Sequence, residues 1–129
     1  MENYQMAARA RIGVLIPSTN TGVEYDLQKF GLDGVTWHPS RFLIRLRNWA
    51  DESSATGDDA NTVFERFLDL MRDDMAPGIE NVMTAQITHL MLGMSAETFW
   101  GGMAGNVEFE KNIQDQIGDL SMTTGAGAT

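Results

Sequence analysis

Residues Arg11–Glu24 read RIGVLIPSTNTGVE. Arg11–Ile16 is a short apolar run rich in β-branched residues, the pattern of a buried strand. It stops at Pro17-Ser18-Thr19-Asn20, which is turn chemistry. Thr21-Gly22-Val23-Glu24 then has the form of a capping box: the Thr21 hydroxyl accepts from the third helical N–H and Glu24 reaches back. A short helix to about Phe30 follows, and Gly31 is placed to end it. Strand, turn and helix in immediate succession are the opening of a β-α-β unit.

The same alternation continues downstream. Gly34–Ser40 holds Val35, Thr36 and Trp37 and reads as a second strand. Asn48–Asp59 is polar and acidic with no apolar period, and reads as a loop. From Asn61 the period is helical, with Val63, Phe64, Phe67, Leu68 and Met71 on one face. Pro77 fits the first turn of a further short helix with Ile79, Val82 and Met83 inward. Thr88–Leu92 is a third strand, ending at Gly93-Met94-Ser95. A helix from about Met103 to Gln116 has Val107 and Ile113 among its inward residues, and Asp119–Thr124 is a weaker fourth strand. The expected fold is a doubly wound, flavodoxin-like α/β domain. Its four-stranded parallel sheet has the order 2-1-3-4, with helices on both faces. Residues 1–10 form a polar N-terminal extension and 11–129 a single domain.

Ligands of open α/β sheets bind beyond the carboxyl ends of the strands. Those ends are Pro17–Thr21, Ser40-Arg41, Gly93–Ser95 and Thr123–Gly125, which the topology gathers at one edge. The formal net charge of -9 disfavours nucleic acid and anionic membrane as partners, since both need a basic face. Any anion site must then be local, made of N–H groups, hydroxyls or an arginine. The chain has no cysteine, so disulfides, thiolate metal sites and cysteine nucleophiles are absent from it. His38 and His89 are its two histidines, too few for an expected zinc site. No apolar run has the length of a membrane span, and Met1–Ala10 lacks the core of a signal peptide, so a cytoplasmic protein is expected.

Each candidate residue has two readings. Pro17, Ser18 and Asn20 either grip a substrate, with helix N–H groups favouring an anion, or simply cap their helix; the residues alone favour the cap. The Met94 and Ser95 N–H groups and the Ser95 hydroxyl either form an oxyanion hole or belong to an ordinary βα turn. Gly93 lets the backbone approach a ligand closely. Arg41 either forks a carboxylate or faces acidic neighbours on the surface. His89 lies in a strand, where a satisfied histidine is commoner than a catalytic one. No dinucleotide fingerprint or phosphate loop is present.

Four segments in register resemble a known family. RIGVLIPSTNT at Arg11–Thr21 and WHPSR at Trp37–Arg41 resemble the first two strand segments of maleate cis-trans isomerases. HLMLGMSAETFWGG at His89–Gly102 resembles the corresponding stretch of arylmalonate decarboxylases. MTTGAGAT at Met122–Thr129 resembles the strand before the crossover to a second half. All belong to the aspartate/glutamate racemase superfamily. The resemblance implies a cofactor-independent enzyme with two similar halves, the active site between them, and this chain as the N-terminal half.

Racemases and isomerases of that superfamily use one cysteine from each half, whereas the decarboxylases have glycine at the first position. Gly93 stands there in this chain, which matches the decarboxylase pattern. The decarboxylases follow that glycine with threonine and serine, so Met94 departs from the pattern and Ser95 keeps it. The implied chemistry passes through an enediolate-type intermediate of a small carboxylate or dicarboxylate. Met94 and Ser95 N–H groups, the Ser95 hydroxyl and Thr123 or Thr124 hold its carboxylate. Pro17, Ser18 and Asn20 hold the other end, and a cysteine of the missing C-terminal half delivers the proton. The chain alone is then expected to be inactive, and its uncovered side could pair with a second copy. Two other classes stay open: a non-catalytic small-carboxylate binding module, and a domain binding flavin or nucleotide.

Overall fold

The computed structural model of the chain describes residues 5–44, 57–93 and 102–124, without the side chains of Gln5, Ala60, Phe64, Phe67, Leu68 and 102–106. After one 3-10 turn at Gln5–Ala7 come β1 (Ala10–Pro17), α1 (Val23–Phe30), β2 (Val35–Phe42), α2 (Ala60–Met83), β3 (His89–Leu92), α3 (Gly102–Ile117) and β4 (Ser121–Thr123). All strand pairs are parallel and the order is β2-β1-β3-β4, as the alternation predicts. β1 is central: Val14, Leu15 and Ile16 are fully buried, as a strand covered on both faces must be.

Alternation along β1 sorts the core into two layers. Val14 and Ile16 pack on α1 through Leu27 and Val23, with Ile12, Trp37 and Met91 at the margin. Leu15, Leu90 and Leu92 face the opposite way, onto Met71, Met75, Ile79 and Val82 of α2 and Phe109, Ile113 and Ile117 of α3. Helices therefore cover both faces. Among the described residues no helix is long and apolar enough to cross a membrane.

Three local readings are corrected. The start of α1 is not a Thr21 capping box. Its N-cap is Gly22, and Asn20 Oδ1 accepts from both Gly22 N and Val23 N at 3.0 Å. Asn reaches backbone donors two and three residues on, so it closes the turn before Thr21 can. Pro77 does not start a new helix but lies inside the 24-residue α2. Met71, Met75, Ile79 and Val82 keep one apolar phase through it, and that packing offsets the hydrogen bond Pro77 cannot make. Ser40 Oγ also donates to Gly78 O at 2.8 Å, fastening this part of α2 to β2. Finally, Val107 points outward at 62% exposure. Six residues separate it from Ile113, about 1.7 turns, so the two cannot share a face; the inward row is Phe109, Ile113 and Ile117. The acidic loop expected at Asn48–Asp59 falls mostly outside the described residues. Its end, Asp59, caps α2 by accepting from Thr62 N at 2.7 Å.

Two glycines, Gly13 of β1 and Gly93 just after β3, let the layers close. A Cβ on Gly13 would stand 2.6 Å from Ile87 Cδ1 and 3.0 Å from Val82 Cγ2. A Cβ on Gly93 would overlap Ile16 Cγ2 and meet Val23 Cγ1 at 3.2 Å. Gly13→Ala and Gly93→Ala should each lower unfolding free energy by about 1–3 kcal/mol through overpacking. A Cβ on Gly22 would meet nothing within 4 Å, so Gly22→Ala should leave stability nearly unchanged. Urea unfolding of the three variants tests this, and equal stability of all three would remove the packing explanation.

Candidate functional site

In the order β2-β1-β3-β4 the strand order reverses between β1 and β3, and the carboxyl ends of strands at such a switch point are where open α/β sheets bind ligands. Gly93 N donates to Leu15 O at 2.8 Å, which sets Gly93 beside the exit of β1 and the Pro17–Asn20 turn. Met94 and Ser95, the expected oxyanion-hole residues, lie outside the described residues.

The Pro17–Asn20 turn is built by its own polar atoms. Asn20 N donates to Pro17 O at 2.9 Å and Ser18 N to Phe42 O at 2.8 Å. Ser18 Oγ accepts from Ile44 N at 2.9 Å, tying the exit of β2 to that of β1. Asn20 Oδ1 is occupied by the two N–H groups at the start of α1. That fixes which way the amide faces and leaves its NH2 without a hydrogen bond among the described residues. The Ser18 hydroxyl hydrogen is likewise uncommitted. Both residues thus cap and brace the loop, the bland role, while the Asn20 amide keeps its NH2 in a fixed orientation and the Ser18 hydroxyl keeps its hydrogen.

Arg41 is drawn into the same turn. Its Nη1 donates to Asn20 O at 2.8 Å and to Pro17 O and Ser18 O at 3.3 Å, and its Nη2 pairs with Glu24. Three carbonyls and a carboxylate already share this guanidinium, and Glu24 offsets its charge. The structure makes Arg41 a clamp on the turn. Sequence reasoning names Arg41 and Glu24 separately but has no signal for their pairing across two elements.

At the other flank, Thr123 and Thr124 project to opposite faces. Thr124 is buried at 3% exposure and its Oγ1 donates to Glu110 Oε1 at 2.7 Å. Thr123 Oγ1 lies 2.7 Å from His89 Nε2, and His89 Nδ1 lies 2.7 Å from Ser121 Oγ. The two threonines therefore do not present their hydroxyls side by side. His89 sits under Thr123 because His89 pairs with Ser121 and Met91 with Thr123 in the β3–β4 register, a juxtaposition that neither strand reveals alone. Partial burial holds the His89 pKa below its ordinary value, so the neutral ring is favoured.

Two open cavities flank the sheet. One of about 500 Å³ lies along β4 and α3, lined by Thr123, Thr124, Lys111 and Gln114 among others. Another of about 680 Å³ lies along β2, lined by Ser40, Arg41, Asp74 and Asn81 among others. Among the described residues no group of three His, Asp or Glu side chains could hold a metal ion.

No protein-family model and no curated protein sequence matches the chain. Among solved structures, two of the maleate cis-trans isomerase of Nocardia farcinica are similar to it. One is a Cys-to-Ser mutant with a covalently bound succinylcysteine intermediate, at TM-score 0.66, and the other is bound to TRIS, at 0.65. Each is 17% identical, over 92% of this chain and 45% of that chain. The likeness is one of fold, and this chain spans less than half the length of the enzyme whose fold it shares.

Proposed function

We propose that the chain forms the N-terminal half of a cofactor-independent isomerase, racemase or decarboxylase acting on a small carboxylate through an enediolate-type intermediate. The observation that supports this most is the Pro17–Asn20 turn. It holds the Asn20 amide in a set orientation and the Ser18 oxygen in place at the carboxyl edge of the sheet, each with a donor hydrogen to spare. Donors held before the charge arrives cost no reorganisation when it does. On this reading the other end of the substrate meets the N–H groups after Gly93 and the Ser95 hydroxyl, which strengthen as charge grows on the carboxylate. Gly93 leaves the first-cysteine position empty of a thiol, so the proton comes from the second half. A cytoplasmic location and a single domain over 11–129 complete the proposal.

The alternative is a small-carboxylate binding module without turnover. Titration of the ¹⁵N-labelled chain with malonate, maleate and phenylacetate, beside turnover assays on the same sample, tests both. Shifts at Ser18, Asn20 and Gly93 are expected. No shift at any of them with all three compounds would remove the carboxylate site, and binding without turnover alone is common to both readings. Turnover by the full two-half protein then decides for the enzyme.

Asn20→Asp separates the two duties of that side chain. It keeps an oxygen for Gly22 N and Val23 N but loses the spare donors, so α1 should stay intact while carboxylate affinity falls at least about tenfold, as for a lost charge-assisted bond. Asn20→Ala should lose the cap as well, at about 0.5–2 kcal/mol of stability. Arg41→Ala should speed amide exchange at Gly22 and Val23 by loosening the turn; unchanged exchange would mean that the clamp has no consequence.

A further inference from the structure

α1 shows one side to the sheet and another to solvent. Val23 and Leu27 pack toward Val14 and Ile16, and Glu24 turns to Arg41. Tyr25, Asp26, Lys29 and Phe30 are all exposed, and their spacing joins them into one patch on the helix surface. Tyr25 is 59% exposed and Phe30 63%; no other Phe, Tyr or Trp among the described residues is exposed. The Phe30 ring also meets the half-buried Trp37 of β2, with centroids 6.4 Å apart, and the exposed Leu32 follows just past the helix. Single apolar side chains on a surface need no explanation, whereas a contiguous cluster of rings marks a contact surface.

Two opposite charges sit within the patch. Asp26 and Lys29 are three residues apart, a spacing at which such side chains pair on a helix. They do not pair here. Lys29 Nζ lies over the Tyr25 ring, 4.1 Å from its centroid, and Asp26 makes no ion pair among the described residues. The patch thus carries one unpaired charge of each sign and no net charge, in a chain whose formal net charge is -9. It is therefore a surface on which a second copy meets no net repulsion. About a two-fold axis, α1 and its copy run parallel or antiparallel. Parallel helices set Asp26 on Asp26 and Lys29 on Lys29. In an antiparallel pair the register that puts Asp26 opposite the partner's Lys29 also puts Tyr25 opposite the partner's Phe30.

We propose that this side of α1 is a contact between two copies of the chain, packed as antiparallel α1 helices about a two-fold axis. The rings supply the affinity, since Tyr and Phe bring large area with few rotors to order. Exposed ion pairs add little energy. Their part is to select the antiparallel register, because the parallel one brings like charges together. The neighbouring edge of β2 is a poor alternative for joining copies: Pro39 stands inside that strand and offers no N–H to a further strand. α1 has eight residues and is about 12 Å long, so the contact is small and pairing depends on concentration.

Analytical ultracentrifugation of the whole chain, from micromolar to millimolar concentration, tests this. It should show a monomer–dimer equilibrium, and dilution should shift the ¹⁵N resonances of Tyr25, Asp26, Lys29 and Phe30. Asp26→Lys and Lys29→Asp should each weaken the dimer at least about tenfold. The first lowers the net negative charge and the second raises it, so a general charge repulsion would move the two in opposite directions. The double variant Asp26→Lys/Lys29→Asp should return the affinity to within about threefold of the original. Tyr25→Ser should weaken the dimer at least about tenfold as well. Circular dichroism should be unchanged in all four variants, because the altered side chains are exposed. A monomer at every concentration overturns the proposal. So do a dimer that ignores the single substitutions, opposite effects of the two charge reversals, and a double variant as weak as its parents.

Discussion

β1 has neighbours on four sides, and that confinement organises the rest of the molecule. β2 and β3 bond to its two edges, α1 lies on one face, and α2 with α3 fill the other. Val14, Leu15 and Ile16 lose all contact with water there, and burying such side chains stabilises by roughly 1.5–3 kcal/mol each. A strand held on every side cannot slip, since a shift of one residue would exchange its two faces. The turn at its carboxyl end therefore leaves from a fixed point, and the site inherits that fixity. The glycines follow from the same confinement: Gly13 of β1 and Gly93 after β3 are small where the layers come too close for a side chain.

Much of this is legible in the residues. RIGVLI, THLML and the helical period from Asn61 give the element types, and alternation of strand with helix gives a parallel sheet whose order the structure repeats. Boundaries and faces are harder. Pro77 reads locally as a helix start because propensity is local, while the apolar phase that carries α2 through it spans from Met71 to Val82. Val107 suggests an inward place by its hydrophobicity alone, although its spacing from Ile113 already forbids a common face. Thr21 and Asn20 both suit a cap, and a sequence cannot say which closes first.

The site is legible at the level of segments and not of bonds. Pro17, Ser18, Asn20 and Gly93 do gather at the edge where the strand ends predict. What each side chain touches depends on register and on partners remote in sequence. Arg41 turns to three carbonyls of the β1 turn and to Glu24 because β2 lies alongside β1 in the register that brings Ile16 opposite Arg41. Thr123 and Thr124 are neighbours in sequence and strangers in space, since a strand sends successive side chains to opposite faces. His89 acquires its two hydroxyl partners only through the β3–β4 pairing.

The contact between Gly93 and Ile16 has an evolutionary consequence. A glycine codon lies one base from a cysteine codon, so a thiol at Gly93 is genetically near. It is physically far, because the new Cβ would arrive inside the volume that Ile16 Cγ2 occupies. The order of substitutions then matters: a smaller residue at position 16 can come first and be tolerated as a cavity, whereas the thiol coming first must push the central strand. A chain that has settled on glycine with a large neighbour tends to stay there.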